Sequence, residues 1–277
     1  MQLHKVAAFS AGDTGGNPAG VAICAALPDA AEMQRIAAAV GFSETAFAQP
    51  AGPDWRVRYF SPAAEVPFCG HATIALGAIL AFTRGDGGFR LKLNEAEISV
   101  EGRREGGLFA AALQSPPTRS APAPAALVDE VLDLFGYAAG DLDPRLDPAL
   151  AHAGADHLVV ALKSREALAR MRYDMAAGRT LMTRAGLVTI LLGFAETAQR
   201  FHTRNPFAYG GVYEDPATGA ATAALAGYLR DADWPHGGAI SVVQGEDMGM
   251  PSHLRAEIPP GRGRSIRVSG TARLIEA

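Results

Sequence analysis

The sequence predicts an α/β protein assembled from two similar halves, and three observations predict it. Strand-like and helix-like stretches alternate through both halves of the 277 residues. Residues 114–126 (QSPPTRSAPAPAA) hold four prolines and no apolar period, as a connection between domains does. The chain also matches itself without gaps when slid by 149 residues. The organisation read from this is a first half over residues 1–115, a linker over 116–126 and a second half over 127–264, with residues 265–277 returning to the first half as a final strand.

The elements follow in chain order. Residues 5–9 read as a strand, residues 10–20 as a turn-rich stretch, and residues 21–25 as a second apolar run. Met33, Ile36, Ala37 and Val40 recur at helical spacing, so residues 30–40 form a helix that stops at Gly41. Residues 55–60 alternate as a strand, with Arg56 and Arg58 on one solvated side. After the proline-rich connection, residues 127–135 and 165–171 are helical, while 158–162 and 187–194 are strand-like. Ile266, Val268, Ala272 and Leu274 alternate in the closing strand.

Composition excludes several classes. A net charge of −4 supplies no basic field for a phosphate backbone, so no nucleic-acid partner is expected. The longest apolar stretch, residues 74–82, is nine residues long, about half of what a spanning helix needs, and no membrane segment is expected. The N-terminal apolar run is too short for a signal peptide, and the two cysteines, Cys24 and Cys69, read as free thiols, which together point to the cytoplasm. His4, His152, His157, His202, His236 and His253 show no ligand spacing, and neither a metal nor a cofactor is expected.

The duplication carries the chemistry. Residues 65–80 (EVPFCGHATIALGAIL) and 214–229 (EDPATGAATAALAGYL) are identical at eight of sixteen positions. Each is a Pro and Gly turn opening into a helix of small residues, starting at Gly70 and Gly219, whose unpaired first-turn N–H groups suit an anion. If two halves set these ends facing one another, they converge on one carboxylate, so a small acidic ligand is expected. Chemistry is sought where the copies differ: His71 against Ala220, Asp215 against Val66, Cys69 against Thr218, and, with a four-residue shift, Glu44 against Thr189. Glu44 in GFSETAF reads either as a partly buried carboxylate tuned to carry protons near neutrality or as a solvated helix-exit residue. His71 is a proton donor and acceptor or a packing histidine; Asp215 is a working carboxylate or a dipole partner. Cys69 is a thiolate favoured by the helix end or a small buried residue, and Cys24 belongs to the core.

Five segments resemble the PhzF-like proteins of the phenazine pathway, relatives of diaminopimelate epimerase and proline racemase. They are GGNPAGV (15–21), FSETAF (42–47), RYFSPAAEVPFCGHAT (58–73), EDPATGAA (214–221), and QGEDMGMPS (244–252) together with VSGTA (268–272). The resemblance implies two pseudo-symmetric α/β halves, each a curved, barrel-like sheet around a central helix, with the ligand in the cleft between them, and a homodimer. It implies a cofactor-independent isomerase or epimerase in which Glu44 moves a proton on a small cyclic or amino-acid-like carboxylic acid. His71 and Asp215 support the transfer, and Asn17, Cys69, Gly70, Thr218, Gly219 and Ala220 contact the substrate. The phenazine enzyme has serine where this chain has Ala220 and alanine where it has Cys69, so the resemblance carries the reaction type more than the phenazine substrate. The alternatives are a racemase or dehydratase with Cys69 as base and a homologue that only binds a metabolite.

Overall fold

A computed structural model describes residues 1–275. The chain divides into two compact units, Met1–Gln114 with Ser269–Ala277, and Ser115–Val268. No helix among the described residues is long and apolar enough to cross a membrane.

The first unit runs β1 (Gln2–Ala8), β2 (Asn17–Ile23), α1 (Ala30–Val40), β3 (Thr45–Ala51), β4 (Asp54–Phe60), β5 (Glu65–Val66), α2 (Gly70–Arg84), β6 (Gly87–Lys92), β7 (Glu97–Glu105) and β8 (Leu108–Pro117). The second runs β9 (Arg119–Pro122), α3 (Ala125–Phe135), β10 (Ala149–His152), β11 (Asp156–Leu162), α4 (Arg165–Ala169), α5 (Met175–Ala185), β12 (Thr189–Ala195), β13 (Arg200–Phe207), β14 (Val212–Asp215), α6 (Gly219–Asp231), β15 (Ala239–Gln244) and β16 (Ser252–Glu257). The last strand, β17 (Ser265–Leu274), pairs antiparallel with β1 through Val6 and Leu274.

Strand pairing repeats between the units. In the first, β1/β2 is antiparallel, β2/β3 parallel, β3/β4 antiparallel, β4/β6 parallel and β6/β7 antiparallel. In the second, β10/β11, β11/β12, β12/β13, β13/β15 and β15/β16 follow the same alternation. Parallel neighbours require a crossover, supplied by α1 and α2 in one unit and by α4–α5 and α6 in the other. The crossover helices are punctuated alike. Asp29 and Asp174 accept hydrogen bonds from the N–H groups of Glu32 and Ala177, while Gly41 and Gly186 stop the helices in the left-handed conformation at φ 73° and 68°. The duplication inferred from 16 residues is therefore a duplication of topology.

Each unit wraps its sheet around one helix. In α2, every residue from His71 to Ala81 is buried, and the helix touches β1, β2, β3, β6 and β7. α6 is buried from Ala221 to Arg230 and touches β9, β10, β11, β15 and β16. Strands from both ends of each sheet reach the helix, so the sheets curve, and pairing of β17 with β8 as well as β1 closes the first into an eight-stranded ring. Small side chains permit this enclosure. A Cβ on Gly77 would stand 2.6 Å from Val100, and one on Gly102 of β7 would collide with the Gly77 carbonyl. Outside the sheets, α1 buries Met33 and Ile36 with Cys24, Phe47 and Phe60, and α3, α4 and α5 bury Phe135, Leu168 and Met182 with Leu158 and Leu192.

The proline-rich connection differs from the expected loop. Pro116 and Pro117 end β8, Pro122 ends β9, and Pro124 precedes α3, while β9 pairs with β10 from Arg119 to Pro122. Prolines at strand ends and on edges cost few ladder bonds, so a segment rich in them still enters a sheet. Arg58 also departs from the solvated face expected for it: it is half-buried and makes two hydrogen bonds to Glu65.

His157 opens the pairing of β11 with β12 opposite Thr189. Thr189 Oγ1 donates to Asn205 Oδ1 at 3.1 Å, so the His157 Nδ1 2.8 Å away must be the N–H donor to Thr189. Burial pushes the His157 pKa down to about 4. Below about pH 6.5 the unfolded chain binds a proton there that the folded chain refuses. Stability from this group is thus complete above pH 6.5 and falls by up to about 1.4 kcal/mol per pH unit until pH nears 4. Denaturant titrations of the wild type and His157→Gln across that window are expected to converge as pH drops; parallel curves would contradict a neutral buried His157.

Candidate active site

Glu44 stands between the Gly41 helix stop and the first residue of β3. Its carbonyl accepts the Gly20 N–H at 3.1 Å, which ties the SET turn to β2. That closeness needs a glycine, because a Cβ on Gly20 would lie 2.5 Å from Thr45 Oγ1. The strand pairing sets Thr45 opposite Gly20 and Thr189 opposite His157, so Thr189 is the counterpart of Thr45, and Glu44 corresponds to Val188 instead of Thr189. The absence of an acidic counterpart is unchanged.

Cys69 is the extended residue before α2 and His71 the second residue of that helix. The Cys69 side chain caps none of the helix N–H groups, and the first turn contains no acid, so neither occupies them. Cys69 is fixed from behind: its carbonyl accepts the Thr73 hydroxyl at 2.7 Å, and Thr73 Oγ1 in turn lies 2.7 Å from the Tyr59 hydroxyl. Tyr59 is fully buried, which raises its pKa far above that of an ordinary phenol and keeps it a donor.

These supports bring three sequence-predicted residues together. Glu44 Oε2 lies 3.4 Å from His71 Nε2. Cys69 Sγ lies 3.3 Å from Nδ1 and 3.9 Å from Nε2 of the same ring. His71 and Cys69 are 8% and 9% exposed, and Glu44 is only partly buried. Ser43 Oγ, 3.3 Å from His71 Nε2, belongs to the cluster and was not singled out from sequence, although it lies inside the FSETAF segment. Asn17 is buried at the start of β2. Spacing along the chain shows no metal-ligand set, yet the donor atoms of Glu44, Cys69 and His71 all lie within 4.8 Å of one another. Folding over the intervening residues creates a possible ligand set that no spacing rule reads.

The second unit builds the equivalent turn with other groups. Thr218 precedes α6, and its hydroxyl donates to Asp215 Oδ2 at 2.5 Å. Asp215 ends β14 rather than standing in the first helical turn. Gln244, fully buried, locks the turn: Nε2 donates to the Asp215 carbonyl at 2.6 Å and reaches Thr218 Oγ1 at 2.9 Å, while Oε1 accepts the Thr218 N–H at 3.1 Å. Gln244 was visible only as the first residue of QGEDMGMPS. Gly219 and Ala220 start α6, again without an acid in the first turn.

Each unit braces its turn with an arginine and a glutamate. β4/β5 pairing sets Phe60 opposite Glu65, and β13/β14 pairing sets Pro206 opposite Glu214, which makes Arg58 and Arg204 counterparts. Both ion pairs are bidentate, Arg58 to Glu65 at 2.7 and 2.5 Å and Arg204 to Glu214 at 3.0 and 2.5 Å. The scaffold is shared, and the candidate site residues Glu44, Cys69, His71 and Asp215 are not.

Comparison with known proteins bears on the family and the fold. The family model described as phenazine biosynthesis-like protein matches residues 6–277. An uncharacterized isomerase of Mesorhizobium japonicum is 32% identical, covering 93% of this chain and 91% of its own. The trans-2,3-dihydro-3-hydroxyanthranilate isomerase of Pseudomonas chlororaphis is 31% identical, covering 95% of this chain and 93% of its own. Among solved structures, a PhzF-family protein of Bacillus anthracis superposes with a TM-score of 0.86 at 23% identity, covering 100% of this chain and 98% of that one. With the fold, the whole-length match and the isomerase relatives in agreement, the chain is an enzyme of the isomerase class and belongs to the PhzC-PhzF family of phenazine biosynthesis-like proteins.

Proposed function

We propose that Glu44 removes a proton from a carbon conjugated to a carboxylic acid and returns it to a neighbouring carbon. The observation that carries this reading is the Glu44 carboxylate beside the His71 ring, next to a helix start whose cap and first turn offer the N–H groups no competing side chain. Those N–H groups bind the substrate carboxylate and stabilise the negative charge that spreads onto it as the proton leaves. His71 hydrogen-bonds the developing charge. Substrates are small cyclic dienoic or amino-acid-like carboxylates. The acid named in the Pseudomonas chlororaphis isomerase is the first to try. The same reading places the enzyme in the cytoplasm as a homodimer.

A second reading rests on the thiol. Cys69 Sγ lies 3.3 Å from His71 Nδ1 at a helix start, the pairing that favours a thiolate base, as a racemase or dehydratase would use. Deuterium incorporation from heavy water into a panel of such acids tests both. Exchange that survives Cys69→Ala and disappears in Glu44→Gln supports the carboxylate; the reverse pattern replaces it with the thiol.

A further inference from the structure

We propose that Glu44, Cys69 and His71 form a binding site for a thiophilic divalent cation of the zinc class, and that the bound ion blocks the enzyme. A thiol, an imidazole and a carboxylate are the three ligand types that zinc takes. With bonds of about 2.0–2.3 Å in a tetrahedral shell, ligand atoms stand about 3.3–3.6 Å apart. The protein holds His71 Nε2 3.4 Å from Glu44 Oε2 and 3.9 Å from Cys69 Sγ, with all three donor atoms inside 4.8 Å. Seating an ion needs side-chain shifts of up to about 1 Å, to bring the widest pair of donor atoms to tetrahedral separation, and displaces the Ser43 hydroxyl from Nε2.

The donor set also selects the ion. Two of the three ligands are sulfur and nitrogen, whereas magnesium and calcium demand oxygen. Three protein ligands leave a fourth position open, to water or to the carboxylate of a bound acid. The ligand-bearing backbone is braced before any ion arrives: the Glu44 carbonyl accepts the Gly20 N–H, and the Cys69 carbonyl accepts the Thr73 hydroxyl. These bonds hold in place the backbone that carries two of the ligands. The thiol binds as thiolate and passes its proton to solvent. An ion held there takes the Glu44 lone pair and removes the base. Inhibition, though not binding, rests on the proton-transfer reading.

Zinc alone, titrated against a chromophoric chelator, is expected to bind at one equivalent per chain. Cobalt(II) in its place should show sulfur-to-metal charge-transfer absorption. Cys69→Ala should abolish that band and weaken zinc at least about tenfold, the lower bound for disturbing even an outer-shell partner. Glu44→Gln, which preserves shape, should weaken zinc by a similar factor while keeping the band, and Cys24→Ser should change neither. Failure to hold zinc against the chelator, affinity unmoved by Cys69→Ala, or cobalt bound without the sulfur band would overturn the site. Zinc binding without exchange into any acid would fail the proton-transfer reading alone; exchange without zinc binding would fail this site alone.

Discussion

Glu44→Gln is expected to slow deuterium exchange into the substrate by about 10²–10⁴-fold, the range that general acid–base groups supply. Glutamine keeps the side-chain volume, and the Gly20 N–H bond to the residue-44 carbonyl does not involve the side chain. The turn therefore survives while the proton carrier is lost. Substrate affinity, read by calorimetry, should change little. His71→Ala should behave differently, weakening binding and rate together, because its ring borders both the carboxylate and the helix start. A loss below tenfold in Glu44→Gln would remove Glu44 as the base and leave Cys69 as the remaining candidate.

The largest expected effect on stability is at Arg204. Arg204 and Glu214 are 7% and 3% exposed, and the guanidinium also donates to the carbonyl of Ala169 at the end of α4, at 2.9 Å. Arg204→Met leaves a buried carboxylate and that carbonyl without their donor, a loss of about 3–5 kcal/mol. For a protein of this size that lowers the melting temperature by roughly 6–20 °C. Arg58→Met removes the counterpart from a half-exposed pair and should cost about 1 kcal/mol or less. Adding Glu214→Leu to Arg204→Met should recover much of the loss, since the penalty lies in the stranded charge. Equal melting temperatures for Arg58→Met and Arg204→Met would show that burial does not separate the two pairs.

Features with a local physical cause were legible in the sequence. Residues 30–40 declared their helix by apolar spacing and their stop by Gly41, which adopts the left-handed conformation that a side chain resists. The GH and TG turns declared themselves because two copies share Pro and Gly in one register. What depends on distant partners was not legible. Residues 114–126 carry prolines that break a helix or a central strand, but nothing local reveals that they fall at strand ends beside β10. Glu44 was set against the wrong counterpart because loops between copies differ in length, and only the ladder fixes Thr45 against Thr189. Gln244 acts through geometry alone, since a primary amide has no titration and no ligand pattern to betray it. Glu44, Cys69 and His71 were each legible as candidates, but not as one ligand set, because Glu44 reaches the Cys69–His71 pair only across the fold.

The pairing of β1 with β17 has a meaning in time. Val6 finds its partner in Leu274, at the opposite end of the chain. A ribosome releasing about 5–20 residues per second needs on the order of ten seconds or more to make the second unit before β17 exists. Through that interval β1 keeps an open edge, and open edges recruit strands from other chains. The second unit, by contrast, is made of one continuous stretch, from Ser115 to Val268, and is complete once β17 has begun to emerge. The unit that holds Glu44, Cys69 and His71 is the first to be synthesised and the last to be completed.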